Sequence, residues 1–274
     1  MGSGSLCVIV RHQPQTKVQV KMSEFEGERI AKVIARAGVC SRREAEQLIL
    51  DGHVTLNHKI LKTAAINVTP ADQIRINGKP LPQKEESKLW RYHKPDGLVV
   101  SHKDPQGRPS VFDKLQLQLP RVVSIGRLDI NTEGLLLLTN DGEIERLLEL
   151  PSSGWIRRYR VRAYGKMDDA GLARLRDGVE IEGVRYGPVE AKIETSQGDN
   201  VWMTVAIREG KNREVKKICE YLGLQVNRLI RTSFGPFQLG DLKRGGIEEI
   251  PQKFWQEQLG GKFRKNDADR RRKV

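Results

Sequence analysis

Three features of the 274-residue sequence predict an α+β protein of two units. Two adjacent segments with helix-period apolar residues, followed by short alternating runs, define a small unit over residues 24–83. From residue 89 to 260, strand-like runs outnumber helix-like ones and often follow one another. This predicts a mixed or antiparallel sheet flanked by helices. Between the two lies a polar stretch opened by prolines, PLPQKEESK, whose residues 84–88 form the linker.

In the small unit, Ile30, Val33, Ile34 and Ala37 follow the spacing of an amphipathic helix, and Gly38 is placed to end it. Ser41-Arg42-Arg43-Glu44 is a capping box, because the Ser hydroxyl and the Glu carboxylate can each satisfy an orphan N–H. Ala45, Leu48 and Ile49 continue as a buried face, and Gly52 closes the second helix. Val54 and Leu56 then alternate, Asn57-His58 can turn, and Ile74 and Ile76 precede the hairpin-type Asn77-Gly78.

Beyond the linker, strands are expected at Leu89–His93, Leu98–Ser101, Val122–Ile125, Leu135–Thr139, Arg158–Tyr164, Val179–Ile181, Val189–Thr195, Val201–Ile207 and Gln225–Ser233. Helices are expected at Glu143–Leu150, Asp168–Arg176, Asn212–Leu222 and Gln252–Leu259. Leucines 135–138 form four consecutive apolar positions, which suits a strand covered on both faces.

Charge narrows the partner. Lys and Arg number 48 against 35 Asp and Glu, a net +13, which favours a polyanion and most simply nucleic acid. Residues 261–274 are expected to be a disordered basic tail; from Lys262 they hold seven Lys/Arg against two Asp, leaving +8 for the rest. Residues 1–23 are a flexible leader with no firm signal. Arg29, Lys32 and Arg36 fall on the outer side of the first helix, and Arg42 and Arg43 in the first turn of the second. There cations and free N–H groups could grip phosphates; a solvated helix face is the alternative. No run approaches the roughly 20 apolar residues of a membrane span. Cys7, Cys40 and Cys219 are scattered without a CxxC pair, which argues for a reducing cytoplasm and against structural zinc.

The segment with most chemical content is VVSIGRLDINTEGLLLLTNDG, residues 122–142. An apolar strand runs into Gly126, Arg127, Leu128 and Asp129. Asp129 at such a junction either serves a cleft or caps its own backbone. Asp129, Asn131, Glu133 and Gly134 begin like an EF-hand loop, but Asn140 stands where the bidentate Glu is needed, so calcium is excluded.

GRLDINTEGLLLLTNDG resembles the signature of ribosomal pseudouridine synthases in the branch with an N-terminal S4 domain, and is most similar to the large-subunit synthase B group. The run ERIAKVIARAGVCSRREAEQLILDGHVTLNHKI resembles an S4-type RNA-binding domain. HKPDGLVVS (His93–Ser101), RRYRVRAYG (Arg157–Gly165) and IREGKNREVKKICEYLG (Ile207–Gly223) resemble the other synthase motifs.

The resemblance implies Asp129 as the catalytic carboxylate, Tyr159 as the active-site tyrosine and Lys216 as the cation set against Asp129, where many relatives have Arg. It further implies substrate or RNA contacts at Arg127, Arg213 and Lys94, beside the S4 arginines Arg36, Arg42 and Arg43. The partner is then ribosomal RNA or an assembling subunit, and the enzyme a cytoplasmic monomer with no cofactor and no metal. A non-catalytic RNA-binding or ribosome-assembly protein on the same scaffold, or a paralogue acting on small-subunit rRNA, is the alternative.

Pattern supports the chemistry independently. Isomerising uridine breaks a C–N bond and forms a C–C bond with no redox change, so a carboxylate acting as nucleophile or base suffices. Val215, Ile218, Cys219 and Leu222 define the buried face of a helix, which leaves Arg213, Lys216 and Lys217 elsewhere on its first turns.

Overall fold

The computed structural model of the chain describes residues 27–150 and 153–260. The expected leader and basic tail lie outside them.

The N-terminal unit runs β1 (Glu28–Arg29), α1 (Ile30–Arg36), α2 (Arg42–Leu50), β2 (Val54–Leu56), β3 (Lys59–Ile60), β4 (Asn67–Val68), β5 (Ile74–Ile76) and β6 (Lys79–Pro80). Helices of 7 and 9 residues are too short to persist alone, since isolated helices below about 12–15 residues are marginal. Tertiary burial holds them: Ile30, Ile34, Ala45, Ile49 and Val54 are fully buried in one cluster. The capping box forms as spelled, with the Glu44 N–H donating to Ser41 Oγ at 3.2 Å and the Ser41 N–H donating to Glu44 Oε2 at 2.9 Å. Four strands pair in the order β3-β2-β5-β6, and both hairpins turn through positive φ, at Asn57-His58 and at Asn77-Gly78.

The larger unit contains β7 (Leu89–Lys94), α3 (Val111–Leu115), β8 (Val123–Ile125), β9 (Glu133–Thr139), α4 (Gly142–Glu149), β10 (Arg157–Tyr164), α5 (Asp169–Ala173), β11 (Val179–Ile181) and β12 (Val184–Tyr186). It continues with β13 (Glu190–Gln197), β14 (Asn200–Ile207), α6 (Glu214–Tyr221), β15 (Gln225–Phe234), β16 (Phe237–Gln238), β17 (Ile247–Glu249) and a helical segment at 252–260. One sheet carries most of them, in the order β13-β14-β10-β15-β9-β7-β17, with β8 added on β9 and β16 on β15. The β15–β9 pair is parallel and the others in this sheet are antiparallel, so the sheet is mixed.

Strand β9 lies inside the sheet, between β15 and β7. Leu135 and Leu137 enter one apolar cluster with Ile125, Ile144 and Trp255, while Leu136 and Leu138 enter the other with Tyr92, Val161 and Met203. All four leucines are fully buried, as a doubly covered strand requires.

Two expected elements differ. Leu98–Ser101 is not a strand: Gly97 turns the chain at φ +80, and only an isolated bridge joins Val99 to Ser110. Just beyond stands α3, absent from the expected elements, with Ser110 and Asp113 forming its own capping box. The helix expected over Asp168–Arg176 is α-helical only at Asp169–Ala173, because Leu175 and Arg176 bond to the third residue back, tightening the last turn.

Candidate active site

Strand β8 ends at Ile125, Gly126 turns at φ +68, and the loop Arg127–Thr132 returns the chain into β9. Leu128 is buried in the larger core and pins the loop, leaving the neighbouring Asp129 side chain about one-third exposed. Backbone bonds fix the return: the Thr132 N–H donates to Asp129 O at 3.0 Å, and the Gly97 N–H donates to Ile130 O at 2.8 Å.

Beneath this loop lies Lys94, fully buried. Its ammonium donates to the carbonyls of Pro95, Ile130 and Thr132 at 2.9, 3.1 and 3.0 Å. The expectation that Lys94 contacts RNA is corrected. Alternation along β7 turns Trp90, Tyr92 and Lys94 inward, and the ammonium is satisfied by the loop's own carbonyls. Burial pushes its pKa down to about 8, against the opposing pull of the Asp129 and Glu133 carboxylates.

Helix α6 brings the cation to Asp129. Val215, Ile218 and Cys219 are buried as expected, but so is Lys216, because it is enclosed at the cavity wall rather than left on an open helix face. Lys216 Nζ lies 3.3 Å from Asp129 Oδ2. Arg213, at the N-cap of α6, adopts the left-handed conformation at φ 52, which costs a non-glycine residue about 1 kcal/mol. Its side chain is about half exposed and 3.8 Å from Glu220. Lys217 faces away, 3.4 Å from Glu182.

A cavity of about 270 Å³ opens beside the pair, near the lower end of the roughly 300–1,000 Å³ range of ligand pockets. On β10, the two-residue period puts Arg157 and Tyr159 on its wall. The neighbours Arg158 and Arg160 point to the opposite face, where Arg160 pairs with Glu194 at 2.7 Å. The basic run around Tyr159 is therefore split, and only Arg157 shares its side. The cationic wall residues are Arg127, Arg157, Lys211, Arg213, Lys216 and Arg231, against the carboxylates Asp129, Glu149 and Glu214. A site so biased suits an anionic or carbonyl-rich ligand.

Of the expected site residues, Asp129, Tyr159, Lys216, Arg127 and Arg213 meet at this cavity. Arg36, Arg42 and Arg43 stand elsewhere, in the N-terminal unit. Arg42 and Arg43 are exposed. Arg36 is not free for a phosphate: its guanidinium lies 2.6 Å from Glu28 and 3.6 Å from Glu143. Sequence reasoning missed Arg231, which shares the inward parity of Leu229 on β15 and is almost wholly buried. Among the described residues, no group of three or more His, Cys, Asp or Glu is placed to hold a metal ion, and no helix is long and apolar enough to cross a membrane.

The mixed sheet thus presents an aspartate–lysine pair at a cavity lined mainly by cations, behind a small helix–strand unit. Residues 28–74 match the S4 domain model, and residues 88–221 match the model described as RNA pseudouridylate synthase. A Rickettsia felis protein described as an uncharacterized RNA pseudouridine synthase is 47% identical over 226 residues, covering 82% of this chain and 98% of that one. The ribosomal large subunit pseudouridine synthase B of Haemophilus influenzae is 43% identical over 248 residues, covering 87% of this chain and 70% of that one. A crystal structure of a pseudouridylate synthase matches with a TM-score of 0.58 at 28% identity, covering 83% and 97% of the two chains. The chain belongs to the RNA pseudouridine synthase family.

Proposed function

We propose that this enzyme converts a uridine of large-subunit ribosomal RNA to pseudouridine, with Asp129 as the catalytic carboxylate. The observation that carries the assignment is the Asp129–Lys216 pair, 3.3 Å apart in a cavity large enough for one flipped nucleoside. The choice of large-subunit RNA rests on the relatives from three organisms named ribosomal large subunit pseudouridine synthase B, at 42–44% identity.

The bond from C1′ to N1 breaks, and its electron pair leaves on the uracil ring. Asp129 acts on the ribose side, either as nucleophile at C1′, to be displaced when C5 attacks, or as base on the adjacent carbon, to which it returns the proton as the C5–C1′ bond forms. The ring turns, C5 bonds to C1′, and the C5 proton is lost while N1 gains one, so the product is an isomer. Lys216 supplies countercharge to the carboxylate. Tyr159 offers a ring face to the extruded base, and the exposed Arg127 and Arg213 take flanking phosphates. Arg42 and Arg43 add sequence-independent grip from the N-terminal unit.

The test is Asp129→Asn. Pseudouridine formation on large-subunit rRNA is expected to vanish while RNA affinity stays within a few fold. Retained turnover removes Asp129 as the catalyst. Mapping pseudouridine in rRNA from cells lacking the protein identifies the uridine.

A further inference from the structure

Arg231 sits on β15 at the inner wall of the cavity and is 2% exposed. One N–H is committed, Nε donating to Leu135 O at 2.8 Å. Nη2 is buried without a hydrogen-bond partner, and among the described residues no carboxylate lies within ion-pair distance of the guanidinium. Burying a cation without countercharge is costly, and folded proteins rarely leave such a donor unmet. A second wall residue repeats the pattern: Thr132, also 2% exposed, carries a buried hydroxyl with no partner. Both residues line the cavity, so two unmet polar groups are held within its wall.

The identity of that ligand group follows from access. A phosphodiester must continue into flanking nucleotides outside the cavity, where the exposed Arg127, Lys211 and Arg213 await it. Only the extruded base goes deep enough to reach an almost wholly buried guanidinium. The base is also where charge develops, because the electron pair of the broken C1′–N1 bond spreads from N1 onto the ring carbonyl oxygens.

We infer that Arg231 is a further catalytic residue, whose guanidinium donates to a uracil carbonyl oxygen and stabilises the uracil anion released by glycosidic cleavage. The inference rests on the proposed uridine isomerisation. Donors fixed in advance where charge appears act mainly on the transition state. The position is fixed by the fold, since the backbone of Arg231 pairs with Gly134 on β9, close behind the Asp129 loop.

The experiment is single-turnover conversion of a synthetic RNA fragment bearing the uridine that the enzyme modifies, or its 2-thio or 4-thio analogue. The proteins are wild type, Arg231→Met and Arg231→Lys, each checked by thermal melting. Arg231→Met is expected to slow conversion by about 10²-fold at saturating RNA, as loss of one oxyanion donor does, with RNA affinity within about threefold. Arg231→Lys is expected to recover part of the rate. Sulfur at the contacted oxygen is expected to slow the wild type but not Arg231→Met, a coupling that a structural role does not produce. Equal slowing of all proteins by both analogues overturns the assignment. If Arg231→Met fails to fold, the same comparison with Arg231→Lys decides. No conversion of the uridine fragment by the wild type overturns the functional reading itself, and this one with it.

Discussion

Lys94 shows how one side chain can serve a site without touching substrate. Its ammonium is surrounded by three carbonyls, two of them in the loop that carries Asp129. Burial holds its pKa near 8, well below the usual 10.5. The unfolded chain therefore binds more protons than the folded one between about pH 8 and 10.5, and stability rises with pH across that window. Below pH 8 both states are charged, and the full cost of burying the charge is carried. The measurable consequence is the difference in unfolding free energy between wild type and Lys94→Met, taken from urea melts at several pH values. It is expected to be flat below pH 8 and to move in favour of the wild type by about 3 kcal/mol by pH 10.5, at 1.36 kcal/mol per pKa unit. Parallel curves would mean that the lysine is solvated.

Strand β9 connects the core to the chemistry. At its start Gly134, at φ +104, lies so close to β15 that an added Cβ would stand 2.3 Å from the carbonyl oxygen of Arg231. This approach allows the one parallel pairing of the sheet and sets the Asp129 loop against the cavity wall. Gly134→Ala would meet backbone, which cannot give way, in a conformation that L side chains rarely adopt. It is expected to cost about 3 kcal/mol or more in urea unfolding, strain and overpacking together. Much of this level was legible in the sequence, because its signals are local: the leucine quartet, the Ser41 cap, the Asn77-Gly78 turn. The Asp129 junction was legible for the same reason. What escaped depends on distant partners. Leu98 and Val99 are apolar enough for a strand but find no ladder, and nothing local to Lys94 or Arg231 says that it is buried until the sheet fixes which parity faces inward.

Across the molecule, the net charge of +13 divides by what each cation already holds. Lys32 and Arg36 bind Glu28 of their own unit and reach Glu143 of the larger one, so they tie the two units together. Burial raises the pKa of Glu28, yet hydrogen bonds from Arg36 and Lys32 outweigh it and hold that carboxyl down at about 2. Lys84 of the linker is held to the buried Asp141 at 2.7 Å. Arg42 and Arg43 keep their exposure at the start of α2, beside its free N–H groups, and can release counterions from RNA. Replacing both with Gln is expected to weaken binding to large-subunit rRNA and to lower the slope of log affinity against log salt by up to about two, close to one for each phosphate no longer neutralised. Replacing Arg36 with Gln is expected to leave that slope unchanged, since its charge is already met by Glu28 and Glu143. Filter binding across a salt series separates the two. Equal slopes for the wild type and the Arg42/Arg43 variant would remove this helix from the RNA-facing surface.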